Sequence, residues 1–102
     1  MEVNCKSINN TIIVEVFGEI NVATAGEFEQ DTLFAIKENS YPLTIDFTEL
    51  KYISSSGLSS LLAIAKEVKS QKRRMNIVVS NGFVKDVLHK TGLSSFFEIN
   101  TK

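Results

Sequence analysis

The residues best suited to chemistry are the three consecutive hydroxyls of Ile53-Ser54-Ser55-Ser56-Gly57-Leu58. They stand between a β-branched, aromatic run, Leu43-Thr44-Ile45-Asp46-Phe47, and a segment where Leu58, Leu61, Leu62, Ala65 and Val68 recur at helical spacing. The first backbone N–H groups of a helix have no partner within it and carry partial positive charge, so an anion there is stabilised. A serine at this junction suits two roles. It can cap the helix, a contribution of about 1 kcal/mol, or carry a phosphate that the fold tolerates and a partner senses. Nucleophilic catalysis would need a base within hydrogen-bond reach. The one histidine, His89, falls off the apolar stripe of a later helix and reads as solvated, and no Gly-x-Ser-x-Gly elbow is present. One histidine and one cysteine make no metal site, and five glycines scattered at turns and helix ends make no phosphate loop. The expectation is a binding module: not an enzyme, with no metal and no cofactor.

The elements that must position these serines follow from period and punctuation. Val3 and Cys5 suggest a short first strand with Cys5 facing inward, Asn9-Asn10 a turn, and Thr11 to Phe17 a second strand, apolar on both faces except at Glu15. Thr24-Ala25-Gly26-Glu27 has the capping-box pattern, and the helix it starts runs to about Glu38 with Ala25, Phe28, Thr32, Ala35 and Ile36 on one face. Phe34 falls off that stripe, at the rim of the core or on a contact surface. Pro42 precedes the strand Leu43–Phe47, where its missing N–H costs little. Leu58 to Ser70 reads as the second helix and Met75 to Val79 as a strand. A third helix, capped by Ser80 or Asn81, shows Val84, Val87 and Leu88 inward and ends at Gly92 in the left-handed C′ position, with Leu93 as its apolar contact. Phe96-Phe97-Glu98-Ile99 is a closing strand or the start of a last helix. The order β-β-α-β-α-β-α-β predicts an α/β fold, one mixed sheet covered by helices.

At 102 residues the chain is expected to be one domain spanning 1–102, and its 43% hydrophobic and 23% charged content is that of a globular protein. No apolar run approaches the roughly 20 residues that cross a bilayer, and Met1-Glu2-Val3-Asn4-Cys5-Lys6 is unlike a signal peptide, so a cytoplasmic location without membrane insertion is expected. A net charge of −1 argues against nucleic acid as a partner. The single basic cluster, Lys72-Arg73-Arg74, reads as a solvated turn whose cations suit a helix C-terminus.

The stretch from Asp46 to Leu62, which contains Asp46-Phe47-Thr48 and Ile53-Ser54-Ser55-Ser56-Gly57-Leu58, resembles the signature of the STAS family, the domain of bacterial anti-sigma factor antagonists. Val84-Lys85-Asp86-Val87-Leu88-His89-Lys90-Thr91-Gly92-Leu93 and Gly18-Glu19-Ile20 match it further, in the expected order. The resemblance implies that the serine after the signature aspartate is phosphorylated by an anti-sigma factor that is itself a kinase of the histidine-kinase-like ATP fold. Aligned on Gly57, that serine is Ser55, and Ser54 occupies the aspartate position. Asn21 likewise stands where the family often has aspartate. Two carboxylates are thus missing from the edge expected to face the partner.

The resemblance implies an anti-sigma factor antagonist that binds its kinase when unphosphorylated, is released by phosphorylation, and is restored by a serine phosphatase. The expected contact surface comprises Asn21, Val22 and Thr24 before the first helix, the loop Ser54, Ser55, Ser56 and Gly57, and Ser59, Ser60 and Ala63 on the outward face of the second helix. Small, uncharged residues there permit close approach of a partner backbone. Two alternatives stand beside this reading. One is a phosphorylation-independent STAS scaffold, such as a subunit of a lipid ABC transporter; the other is a nucleotide or anion sensor using the same helix N-terminus.

Overall fold

The chain begins with two strands, β1 (Glu2–Ile8) and β2 (Thr11–Ile20), joined by Asn9 and Asn10. Both loop residues have positive φ, 51° and 60°, the conformation that lets a two-residue turn follow strand twist and that asparagine tolerates. The remaining elements are α1 (Ala25–Lys37), β3 (Leu43–Asp46), β4 (Leu50–Ile53), α2 (Ser55–Ser70), β5 (Met75–Val79), α3 (Phe83–Lys90), a 3₁₀ turn (Leu93–Ser95) and β6 (Glu98–Thr101). This computed structural model describes all residues, 1–102.

The sheet runs in the order β1-β2-β3-β5-β6, antiparallel only between β1 and β2. Alternation sorts the strands into two faces. Ile12, Val14 and Val16 of β2, Leu43 and Ile45 of β3, and Met75, Ile77 and Val79 of β5 are buried. Against them pack Ala25, Phe28 and Ile36 of α1, Leu61, Ile64, Ala65 and Val68 of α2, and Val84 and Leu88 of α3, in one continuous core. The Phe28 and Phe47 rings meet in it at 5.9 Å. The opposite face carries Thr11, Ile13, Glu15, Phe17, Thr44, Asp46, Asn76 and Val78, all half-buried. Lys6 and Glu15 pair across it at 3.4 Å.

The architecture is the expected mixed α/β sheet, with one strand more than the sequence reading had. β4, Leu50–Ile53, pairs in parallel with the end of β2, Gly18 to Ile20, beyond the point where β3 stops. Its four residues, buried at Leu50 and Ile53 and exposed at Lys51 and Tyr52, are too few and too irregular in pattern to stand out from a loop. Of Phe96–Ile99, Glu98 and Ile99 begin a strand, β6, while Phe96 and Phe97 lead into it from the 3₁₀ turn.

Other expectations are corrected in detail. Cys5 faces the helix side, opposite Val14, as expected, but it stays exposed because α1 covers the edge strand incompletely. Its thiol pKa is raised, first by desolvation and then by the nearby Asp31 carboxylate. Neither Ser80 nor Asn81 caps α3. Gly82, at φ 140°, takes the cap position with its carbonyl accepting from Asp86, while Ser80 Oγ donates to the Thr48 carbonyl. Gly92, at φ 74°, ends α3 as expected. Arg73 is no solvated turn residue. Its guanidinium donates to the carbonyls of Ile36, Asn39 and Tyr41, closing the C-terminal end of α1 onto the following loop. The positive charge thus sits at the C-terminal end of α1 rather than of α2.

Candidate functional site

β2 and β4 run parallel, so the helices that follow them, α1 and α2, start at the same edge of the sheet. The Ser54 N–H donates to the Ile20 carbonyl at 2.8 Å, joining the two entrances. Ser60 Oγ donates to the Ala25 carbonyl at 3.1 Å, joining the first turns of the helices themselves. Ser60 is therefore buried, at 6% exposure, and not on the outward face where the helical reading had set it.

The three serines divide their roles. Ser54 is the N-cap of α2: its backbone is extended and its Oγ accepts the Gly57 N–H at 3.0 Å. Being 7% exposed, it is not presented to a partner. Helix α2 consequently starts at Ser55, three residues before the expected Leu58. Ser55 is exposed in the first helical turn, and no hydrogen bond within the chain occupies its hydroxyl; Ser56 is half-buried. No acidic residue lies in that turn to offset the helix dipole. The Ser55 hydroxyl thus stands free in a positive local field.

Gly57 fixes how closely this turn approaches the strands. A Cβ built there would lie 2.7 Å from Ile53 Cγ1 and 2.8 Å from Ile20 Cγ2, nearer than side chains pack. Glycine at 57 lets α2 start directly over the ends of β2 and β4.

The loop before α1 is built in the same way. Asn21 Oδ1 accepts from the N–H groups of Ala23 at 2.9 Å and Thr24 at 3.1 Å, and the Asn21 N–H donates to Thr24 Oγ1 at 2.9 Å. The expected capping box from Thr24 to Glu27 does not form. Thr24 is in a helical conformation with no side-chain cap bond: its Oγ1 is turned back to accept the Asn21 N–H, and its own N–H goes to Asn21 Oδ1 in an Asx turn rather than to Glu27. Between Asn21 and Thr24, Val22 is 79% exposed. Of the predicted surface, Val22, Ser55 and Ser59 are exposed, Asn21, Thr24, Ser56 and Ala63 are half-buried, and Ser54, Gly57 and Ser60 lie beneath as its supports.

The sequence reading missed an aromatic pair close by. Tyr52 of β4 stacks on Phe83 at the start of α3, centroids 5.5 Å apart and planes inclined by 15°. Both rings are substantially exposed. Recognising β4 would have been the signal, since its alternation turns Tyr52 away from Ile53.

The family model of the STAS domain matches residues 2–102. The chain belongs to the STAS domain family. This STAS domain is 24% identical over 91 residues to the anti-sigma-F factor antagonist RsfB of Mycobacterium tuberculosis, covering 89% of this chain and 74% of that one. Among solved structures it superimposes on an anti-sigma factor antagonist from Mycobacterium paratuberculosis with a TM-score of 0.85 at 26% identity, over 97% of this chain and 84% of the other. It also matches the Bacillus cell fate determinant SpoIIAA in its phosphorylated form, TM-score 0.70 at 18% identity, over 99% and 93% of the two chains.

At the two positions where the resemblance implies aspartate, a neutral oxygen accepts backbone N–H groups: Ser54 Oγ that of Gly57, and Asn21 Oδ1 those of Ala23 and Thr24.

Proposed function

We propose that this STAS domain is an anti-sigma factor antagonist that acts by binding, with Ser55 as its phosphorylation site. The observation that carries the reading is the free, exposed Ser55 hydroxyl in the first turn of α2, next to a cap residue whose own hydroxyl is engaged. The partner is an anti-sigma factor with serine-kinase activity, and a serine phosphatase reverses the modification. The contact surface combines Val22, Ser55, Ser59 and Ala63, with Asn21, Thr24, Ser54, Ser56, Gly57 and Ser60 holding its shape.

Phosphorylation at Ser55 adds about −1.5 to −2 charges at neutral pH. Within the domain that charge meets the positive end of α2, so the fold stays nearly unchanged. Across an interface, one like charge at ~4 Å costs up to about 4 kcal/mol at an effective dielectric of 20. A third of that is about tenfold in affinity, enough to release a partner without a large conformational change.

Incubation with a cognate kinase and ATP should add one phosphate, and peptide mapping should find it on Ser55. Ser55→Asp should weaken partner binding at least tenfold while leaving stability within about 1 kcal/mol. Phosphate found only on Ser56, or a tight complex indifferent to Ser55→Asp, would overturn the switch.

A further inference from the structure

β1 is an edge strand with no neighbour on one side, and its open backbone groups can be assigned residue by residue. The Asn9-Asn10 turn brings Ile8 opposite Thr11, the position of a hydrogen-bonded pair in a two-residue hairpin. Ile12, opposite Ser7, sends its N–H the other way, to the Pro42 carbonyl at 2.9 Å. By alternation Glu2, Asn4, Lys6 and Ile8 direct their backbone groups to β2, and Val3, Cys5 and Ser7 direct theirs to the open edge.

We propose that this edge pairs antiparallel with β1 of a second copy of the chain, about a two-fold axis through Asn4. That register sets Val3 of each copy opposite Cys5 of the other, both with outward backbone groups, as a hydrogen-bonded pair requires. It also sets Glu2 of each copy opposite Lys6 of the other in the non-hydrogen-bonded position, where side chains stand closest. Symmetry makes this pair twice. Moving the axis to Cys5 keeps the backbone match but sets Lys6 opposite Asn4 and Glu2 opposite Ile8, losing both ion pairs. An axis at Lys6 would face lysine with lysine. The charge pattern of the strand is self-complementary in one register.

A second observation lies on the helix side of the same edge. A cleft of about 440 Å³ between β1 and α1 is lined by Val3, Cys5, Asp31, Phe34 and Ala35 among others. Phe34 stands 68% exposed there. Pairing through β1 brings α1 of the second copy alongside and covers this apolar side chain. β2 separates this edge from the serine loop, because β3 and β4 pair with the other side of β2. The dimer therefore presents two unobstructed Ser55 surfaces.

Sedimentation of the full chain over a wide concentration range tests this, with thermal unfolding of each variant alongside, because Lys6→Glu also breaks the ion pair with Glu15 within the chain. Wild-type chain should dimerise, Lys6→Glu and Glu2→Lys should each weaken dimerisation about tenfold or more, and the double exchange should restore it. Val3→Cys sets a thiol opposite Cys5 of the other copy at a Cα spacing of about 5.5 Å, within disulfide reach, so mild oxidation should give a covalent dimer. A wild-type chain that stays monomeric throughout, or charge reversals without effect, would overturn the pairing. Wild-type chain cross-linking through Cys5 as fast as the Val3→Cys variant would overturn the register.

Discussion

Ser54 offers the sharpest test of how the candidate site is built. Ser54→Ala removes the oxygen that accepts the Gly57 N–H at 3.0 Å, in a residue only 7% exposed. Loss of an N-cap costs about 1 kcal/mol, and leaving the freed N–H without water raises this toward about 2 kcal/mol. For a domain of this size each 1 kcal/mol lowers Tm by roughly 4–8 °C, so a drop of about 4–16 °C is expected. Ser54→Asp restores the acceptor and adds a carboxylate at the helix N-terminus, worth roughly 0.3–1 kcal/mol before the cost of partial burial. Its stability should match wild type within about 1 kcal/mol at neutral pH. On protein phosphorylated at Ser55, the added carboxylate should raise the second phosphate pKa, followed by ³¹P NMR, because a neighbouring negative charge disfavours the dianion. If Ser54→Ala melts within 1–2 °C of wild type, about a quarter of a kcal/mol, the cap does not fix the start of α2. If Ser54→Asp costs as much as Ser54→Ala, the residue acts through size rather than through its acceptor. The same pair bears on recognition: a kinase adapted to the aspartate-containing motif should phosphorylate Ser54→Asp faster than wild type in initial-rate assays.

Three further outcomes follow from individual contacts. Gly57→Ala forces Ile20 and Ile53 aside by several tenths of an ångström and should destabilise the domain by about 1–3 kcal/mol in urea unfolding; a neutral result would mean that α2 does not sit as closely as described. Arg73→Lys cannot reach the carbonyls of Ile36, Asn39 and Tyr41 together and should lose about 2 kcal/mol, with faster amide exchange in the loop after α1; equal stability would make those bonds dispensable. Asp31→Asn removes one of the two causes that raise the Cys5 pKa, so more thiolate forms at a given pH and alkylation of Cys5 should accelerate; an unchanged rate would leave desolvation as the sole cause.

Much of the fold was legible because it rests on local regularities. The alternation of Ile12, Val14 and Val16, the helical stripe from Leu58 to Val68 and the Gly92 stop each depend on the chemistry of a few neighbouring residues, and the structure keeps them. The serine loop and its family motif were equally local. Tertiary contacts decided the rest. β4 is a strand because β2 runs past the end of β3 and leaves backbone groups to be paired, a condition no four-residue window contains. Thr24 turned its hydroxyl back to the Asn21 N–H, and Ser80 gave its hydroxyl to the Thr48 carbonyl while Gly82 took the cap position of α3, because each side chain met a nearer partner than the helix N–H groups. Ser60 turned inward to a carbonyl on another helix, and Arg73 to three carbonyls more than thirty residues away in sequence. Sequence determined that a serine cluster meets a helix N-terminus; packing chose which serine is buried as the cap and which is left free. The physical reason is that periodicity reports which face of an element is apolar, whereas a buried donor or acceptor is satisfied by whatever the fold brings within 3 Å or so of it.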